Sequence, residues 1–374
     1  MEYYYLDRLR WNLGFENPNH AAALIASLLP FLWAVRSLWA PRRKAAAFLW
    51  NLLAGGILIA GWWLLAMTLS RGGLVAAIGG FAFLGWKTFA GGKKEWIRAS
   101  VIAAGIIAAV AFTGLASRTA EGMARPDASI ENRFEVWKGG LRMLAIAPGG
   151  VGAGESGEFY MHWLQPVDST AGYRTLVNGY LTWLTEYGLL AGFLVLAAAL
   201  FVLFGLRPAA AGERSRCWIR ASQASLISFA LAAVFSTTFE TGWVWAPPVM
   251  ALLILGALTA KHGSVARIPL FRRVSFSLLG SAAAMLLLWG TGAAIESLNP
   301  EAIRIGRDGL ISVIPKGAVG GWAILPDEEV AGPDYGKRLR EIAKEGKIKL
   351  IAVPSREAIP ECQGIIAMGE RVEE

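Results

Sequence analysis

The residues of this 374-residue chain that could do chemistry fall into a few short groups. Glu16-Asn17-Pro18-Asn19-His20 stands at the mouth of an apolar run, and Ser70-Arg71-Gly72-Gly73 closes the next one. Asn132-Arg133-Phe134-Glu135-Val136-Trp137 opens an amphipathic stretch in which Arg133, Trp137 and Gly140 share a helical face. Pro148-Gly-Gly-Val-Gly-Ala-Gly154 breaks that stretch, and His162 follows in the same loop. Asn178-Gly179-Tyr180-Leu181 then leads into a further apolar run that carries Glu186, Gly188 and Gly192. Arginine offers a two-pronged fork to phosphate oxygens and can stabilise charge on a departing diphosphate. A carboxylate or neutral histidine can take the proton of an attacking hydroxyl. The set therefore suits transfer from a diphosphate, with arginines on the anion and a carboxylate or histidine as base.

Each group also has a plainer reading. Asn17 can cap a helix whose first turn holds Pro18, or Asn19 and His20 can meet a substrate. Arg71 can line a site or reach to lipid headgroups. Gly152 to Gly157 formally matches GxGxxG, but no βαβ unit surrounds it, so dinucleotide binding is rejected. The glycine turn can present N–H groups to a phosphate or serve only as a flexible turn. The histidines (His20, His162 and His262) are scattered, and Cys217 and Cys362 give neither metal nor disulfide spacing, so no metal and no cofactor are implied.

The elements that must hold these residues are membrane helices. Hydrophobic residues make up 55% of the chain and charged ones only 17%, where a soluble domain carries about 25% charge. A crossing helix needs about 20 apolar residues. Segments near 21–40, 46–69, 72–89, 97–116, 178–205, 218–238, 243–260 and 274–295 meet that need. They predict an all-α polytopic membrane protein of about eight transmembrane helices. No cleavable signal peptide is expected, because a tyrosine-rich, mixed-charge segment precedes the first run.

Every second loop is basic: Arg36, Arg42, Arg43 and Lys44; then Lys87, Lys93, Lys94 and Arg98; then Arg207, Arg214, Arg216 and Arg220; then Lys261, Arg267, Arg272 and Arg273. Only Glu95 and Glu213 oppose them. Basic loops stay in the cytoplasm. The N-terminus, the turn at Arg71, a loop at 117–177 and everything after about 296 are then extracytoplasmic, and Cys217 and Cys362 lie on opposite sides. The net charge of +8 becomes a topology signal rather than a sign of nucleic-acid binding. Trp62, Trp63, Trp243 and Trp245 read as interfacial anchors. Two domains follow, a transmembrane domain at 1–296 and a small extracytoplasmic α/β domain at 297–374. In the latter, strand-like Trp322–Leu325, Ile348–Val353 and Gly364–Met368 flank a helical pattern at Asp334–Glu345. It carries no phosphate loop and no nucleophile, and is either a partner- or glycan-binding module or a structural appendage.

On the ordered motifs Asn17-Pro18-Asn19, Ser70-Arg71-Gly72, Arg133 with Trp137, Pro148 with its glycine turn, and Asn178-Gly-Tyr-Leu with Glu186 and Gly188, the sequence resembles the O-antigen ligase and O-antigen polymerase superfamily over roughly residues 10–260. The resemblance implies a metal-independent glycosyltransferase of the inner membrane. Such an enzyme moves a glycan from an undecaprenyl-diphosphate carrier to a lipid or glycan acceptor, lipid A-core for ligases or another lipid-linked repeat for polymerases. It also implies membrane lipids and envelope polysaccharide assembly proteins as neighbours. Catalysis would fall to Glu186, His162 and Arg133, and binding to Arg71, Arg133, Asn19, His20, Trp137, Asn178 and Tyr180. Ligases usually carry a histidine where this chain has Val177, so His162 or Glu186 would take the base's place. Relatives also usually have spans upstream of Asn-Pro-Asn, which implies a reduced fold here or spans supplied from elsewhere. The alternatives are a catalytically inactive partner in polysaccharide assembly, which Val177 would explain, and a transporter, for which the polar residues are too one-sided.

Overall fold

The computed structural model of the chain describes residues 3–5, 8–39, 42–88, 128–165, 172–205, 212–263 and 270–298, together with strands at 301–305, 311–315, 322–326, 349–353, 365–367 and 370–372. Among the described residues six helical segments are long and apolar enough to cross a membrane: Pro18–Ser37, Lys44–Met67, Gly179–Phe201, Glu213–Phe235, Gly242–His262 and Arg272–Ser297. The third expected span is present as a shorter apolar helix, Arg71–Gly85. Its glycines, Gly72, Gly73, Gly79 and Gly80, dilute the apolar content. The expected span at 97–116 lies outside the described residues.

Large apolar side chains point outward along these helices. Leu190 is 72% exposed, Leu253 69% and Leu279 71%. Contiguous outward leucines on helices of this length would be an aggregation hazard in water and are what a lipid-facing surface requires. The protein is an integral membrane protein.

The chain forms two compact units, each discontinuous in sequence. The first holds Met1–Ala128, Asn178–Tyr180 and Ala199–Ser275. Its described elements begin with a hairpin of β1 (Tyr3–Tyr5) and β2 (Arg8–Arg10), with Tyr3 opposite Arg10. Helices α1 (Pro18–Ala34), α2 (Lys44–Met67) and α3 (Arg71–Thr88) follow. With no hydrophobic force between helices in lipid, close packing of small residues holds such a unit together. A Cβ on Gly80 would strike the Ser228 hydroxyl, and one on Gly79 would strike Leu231. Gly73 faces Ala22 in the same way. The helix carrying Ser228 (Glu213–Phe235) accordingly packs on α1, on α3 and on the helix Ala246–His262. Ala21, Ala22, Ala26, Leu29, Leu58, Trp62, Leu65, Ala76 and Ala77 are buried at the centre.

The second unit holds Ser129–Val177, Leu181–Ala198 and Phe276–Glu374. Helix α4 (Ala128–Ile146) buries Val136, Gly139, Gly140, Met143 and Leu144, the three-and-four spacing of one face. A short helix α5 (Ser156–Phe159) runs into a single π turn at Tyr160–Leu164. The span helix α6 (Gly179–Gly205) carries Leu181 and Leu184 into the same core. After α7 (Glu213–Phe235) and α8 (Ala246–His262) in the first unit, α9 (Leu270–Ser297) returns to the second. There Gly292 lets α9 meet the Leu141 carbonyl on α4, and Arg142 Nε donates to Glu296 Oε2 at 2.6 Å.

Beyond α9 the described residues are strands. β3 (Glu301–Ile305), β4 (Ile311–Pro315), β5 (Trp322–Pro326) and β6 (Lys349–Val353) form a sheet of order β3-β4-β6-β5. Its β5–β6 pair is parallel, and β7 (Ile365–Ala367) pairs with β8 (Glu370–Val372). The helix expected at Asp334–Glu345 lies outside the described residues, as does Cys362.

Candidate functional site

In the first unit the polar motifs meet around the start of α3. Asn17 caps α1 by accepting the Asn19 N–H on Oδ1 at 2.9 Å, with Pro18 in the first turn, where its missing N–H costs nothing. Ser70 caps α3: its Oγ accepts from the Gly73 N–H at 3.2 Å and donates to Asn19 Oδ1 at 2.8 Å. Leu69, immediately before, has φ 51°, a left-handed backbone that a leucine rarely adopts. That turn presents Arg71 as the first residue of α3, half-buried, at the positive end of the helix. Gly72 allows the close approach, since a Cβ there would lie 2.6 Å from the Phe235 Cβ.

His20 is held on both ring nitrogens, with Nε2 3.3 Å from Thr237 Oγ1 and Nδ1 3.1 Å from Thr241 Oγ1. It therefore ties α1 to the turn between α7 and α8, where Glu240 is exposed. Asn178 is buried and caps α6 by accepting the Tyr180 N–H at 3.0 Å. Gly179 brings its N–H to the Ser236 carbonyl at 3.1 Å, a contact with little room for a side chain. The Tyr180 hydroxyl donates to the Ala230 carbonyl at 3.0 Å, and its ring meets Phe239 edge-on at 5.0 Å.

In the second unit the centre is a break in α6. Gly188 has φ 84° and ψ 168°, which interrupts the helix one turn below Leu184. The break frees the Thr185 and Glu186 carbonyls, which accept from the Val151 N–H at 2.8 Å and the Gly152 N–H at 3.2 Å. The Leu189 N–H, freed on the other side, donates to the Pro148 carbonyl at 2.9 Å. In an apolar span such groups must find partners within the protein. The glycine turn supplies them, and its composition follows: a Cβ on Gly150 would lie 2.5 Å from the Glu186 carbonyl oxygen, and one on Gly188 2.5 Å from that of Gly149.

The two sequence readings of the turn, a phosphate cradle or a flexible linker, thus give way to a third. The N–H groups of Gly150, Val151 and Gly152 are all engaged by backbone carbonyls. Directly at the break Glu186, half-buried, accepts the Ser156 hydroxyl on Oε1 at 2.8 Å. Among the described residues its hydrogen-bond partner is this serine, because the glycine turn docks the start of α5 against the break.

Arg133 and Trp137 are half-buried on α4, with Trp137 packed on the unit's core and edge-on to Phe134 at 5.7 Å. Val177 has φ 54°, a conformation that is a genuine outlier for a β-branched residue, just where the chain enters α6. Leu176, before it, is pinned by its N–H on Thr182 Oγ1 at 3.1 Å. His162 lies in the π turn, and its side chain is outside the described residues. Tyr173 stands edge-on to Tyr160 at 5.6 Å, and burial raises its phenol above the ordinary tyrosine value.

Arg10, Thr68, Ser156 and the helix break escaped sequence reasoning. Only Gly188, a glycine inside an apolar run that follows a Pro-Gly-Gly turn, offered a signal.

Residues 56–197 match the family model described as O-antigen ligase. The matched stretch contains Ser70–Gly73, Arg133, Trp137, the glycine turn, Asn178, Glu186 and Gly188. It supports the O-antigen ligase and polymerase superfamily for this chain, the resemblance that those motifs carry. No curated protein and no solved structure matches it.

Proposed function

We propose that this O-antigen ligase-like membrane protein transfers a glycan from an undecaprenyl-diphosphate carrier to a lipid or growing polysaccharide at the outer face of the cytoplasmic membrane, without a metal. The acceptor hydroxyl oxygen attacks the anomeric carbon of the donor sugar. The bond from that carbon to the diphosphate oxygen breaks, and the diphosphate leaves on its lipid. Arg71 and Arg133 hold and neutralise the leaving diphosphate. Glu186 takes the acceptor proton, with His162 as the other candidate base. Asn19, His20, Trp137, Asn178 and Tyr180 frame the substrates.

The observation that carries this reading is Glu186 itself. A carboxylate at a break in an apolar span is costly to keep there unless it is used, and Ser156 leaves one of its oxygens to other partners. The basic loops support the orientation: Arg42 and Arg43 precede α2, Lys44 opens it, and Lys261 and His262 end α8. On that topology the transmembrane domain is 1–296, and the 117–177 loop and residues 297–374 face outward. A broken helix also suits transport, but the carbonyls freed at this break, those of Thr185 and Glu186, each accept an N–H of the glycine turn.

The test is turnover of an undecaprenyl-diphosphate-linked oligosaccharide by the purified protein beside Arg133→Ala and Glu186→Gln. Release of undecaprenyl diphosphate by the wild type, and its loss in both variants, is expected. Carrier binding without release would overturn catalysis and favour the inactive-partner reading, with Val177 as its reason.

A further inference from the structure

Arg10 is a charged side chain that the chemistry above leaves unused. It lies in the first unit, half-buried, as the last residue of β2, opposite Tyr3 of β1. Its Nε donates to the Thr68 carbonyl at 3.0 Å, and its Nη2 donates to Asn19 Oδ1 at 3.2 Å. Asn19 Oδ1 also accepts the Ser70 hydroxyl at 2.8 Å, and the Ser70 N–H returns to Thr68 Oγ1 at 3.2 Å. Arg10, Thr68, Ser70 and Asn19 therefore close a ring of hydrogen bonds.

Next to the ring, the Trp11 N–H caps the Met67 carbonyl at 3.1 Å, and the Trp11 ring stands edge-on to Trp63 at 5.9 Å. The ring encloses Leu69, whose left-handed backbone would relax if its flanks were released. A guanidinium suits the place for two reasons. A cation at a helix C-terminus complements the exposed carbonyls of α2, and a planar fork reaches two acceptors at a fixed angle. Asn19 accepts both donors on one oxygen because an amide carbonyl carries two lone pairs.

We propose that Arg10 is a positioning residue: by clamping the end of α2 and Asn19 together, it fixes the Ser70 cap and so sets where α3 presents Arg71. The role of Arg71 in holding a diphosphate rests on the glycan-transfer reading; the clamp does not. A residue that acts through Arg71 makes a specific demand on double mutants. Once Arg71 is gone, further loss of Arg10 should matter little, whereas a residue that only stabilises the fold lowers activity in either background.

The experiment uses the full chain in lipid nanodiscs as wild type, Arg10→Ala, Arg10→Lys, Arg71→Ala and Arg10→Ala/Arg71→Ala. KM and kcat are measured with an undecaprenyl-diphosphate-linked oligosaccharide, and Kd with undecaprenyl diphosphate. Loss of the charge-assisted bonds should raise KM and Kd about tenfold in Arg10→Ala. Arg10→Lys should follow it, because an ammonium cannot bridge both acceptors, and the double variant should match Arg71→Ala. Should Arg10→Ala not fold, Arg10→Lys in the two backgrounds carries the same comparison. Multiplying losses in the double variant, or wild-type values in Arg10→Ala and Arg10→Lys, overturn the proposal alone. A wild type that neither binds nor turns over the carrier sinks the glycan-transfer reading, and the diphosphate role of the clamp with it.

Discussion

Gly188→Ala tests whether the break in α6 and the glycine turn form one structure. At φ 84° and ψ 168° the backbone occupies a region left almost entirely to glycine, so alanine there costs about 2 kcal/mol. Its methyl group would lie 2.5 Å from the Gly149 carbonyl oxygen and 3.0 Å from that of Pro148. Neither is the end of a flexible side chain, so the turn must move. Moving it forfeits the three bonds from Val151, Gly152 and Leu189, at about 1 kcal/mol each. The second unit then loses about 5 kcal/mol, a large fraction of the 5–15 kcal/mol that folding typically leaves.

If α6 straightens instead, Thr185 and Glu186 regain partners inside the helix and the stability loss is smaller. Val151 and Gly152 lose theirs in both cases. Hydrogen exchange read by mass spectrometry in detergent is therefore the assay. Protection over 150–152 should fall about a hundredfold, as expected for a local loss near 3 kcal/mol. Gly149→Ala is the control, because a Cβ on Gly149 meets nothing within 4 Å and its φ is ordinary. Unchanged protection over 150–152 in Gly188→Ala would refute the coupling of turn and break.

Three substitutions separate structure from chemistry. Arg142→Ala leaves the Glu296 carboxylate, 18% exposed, without its guanidinium and should destabilise the protein by about 3 kcal/mol in thermal unfolding. Adding Glu296→Gln should recover part of that loss by removing the charge that Arg142 no longer balances, and no recovery would mean that the pair acts through packing alone. Glu186→Gln keeps the oxygen that meets Ser156 and should leave the melting temperature close to that of the wild type. If Glu186 is the base, turnover falls by about a hundredfold or more; unchanged turnover would move the base to His162.

The membrane class was legible in the sequence because lipid imposes a local requirement. Each crossing needs its own apolar run and internally bonded backbone, and both can be read within about 20 residues. Runs at 46–69 and 178–205 thus became α2 and α6 with small changes at the ends. Caps were legible for the same reason: Asn17-Pro18 opens a helix within two residues of itself. Gly72 and Gly73 announced close packing, though not that Phe235 and Ala22 would be the neighbours.

What only the tertiary structure decided is which distant groups share a hydrogen bond. Glu186 was visible as an expensive carboxylate, but its serine partner is 30 positions away and arrives only because a glycine turn docks on a broken helix. Arg10 looked like one charge in a mixed segment, and its contact with Thr68 spans 58 positions. Side chains signal their burial through local pattern, since a helix repeats every 3.6 residues. Hydrogen-bond partners carry no such period. They depend on the approach of separate elements to within about 3 Å, and that distance exists only once the chain has folded.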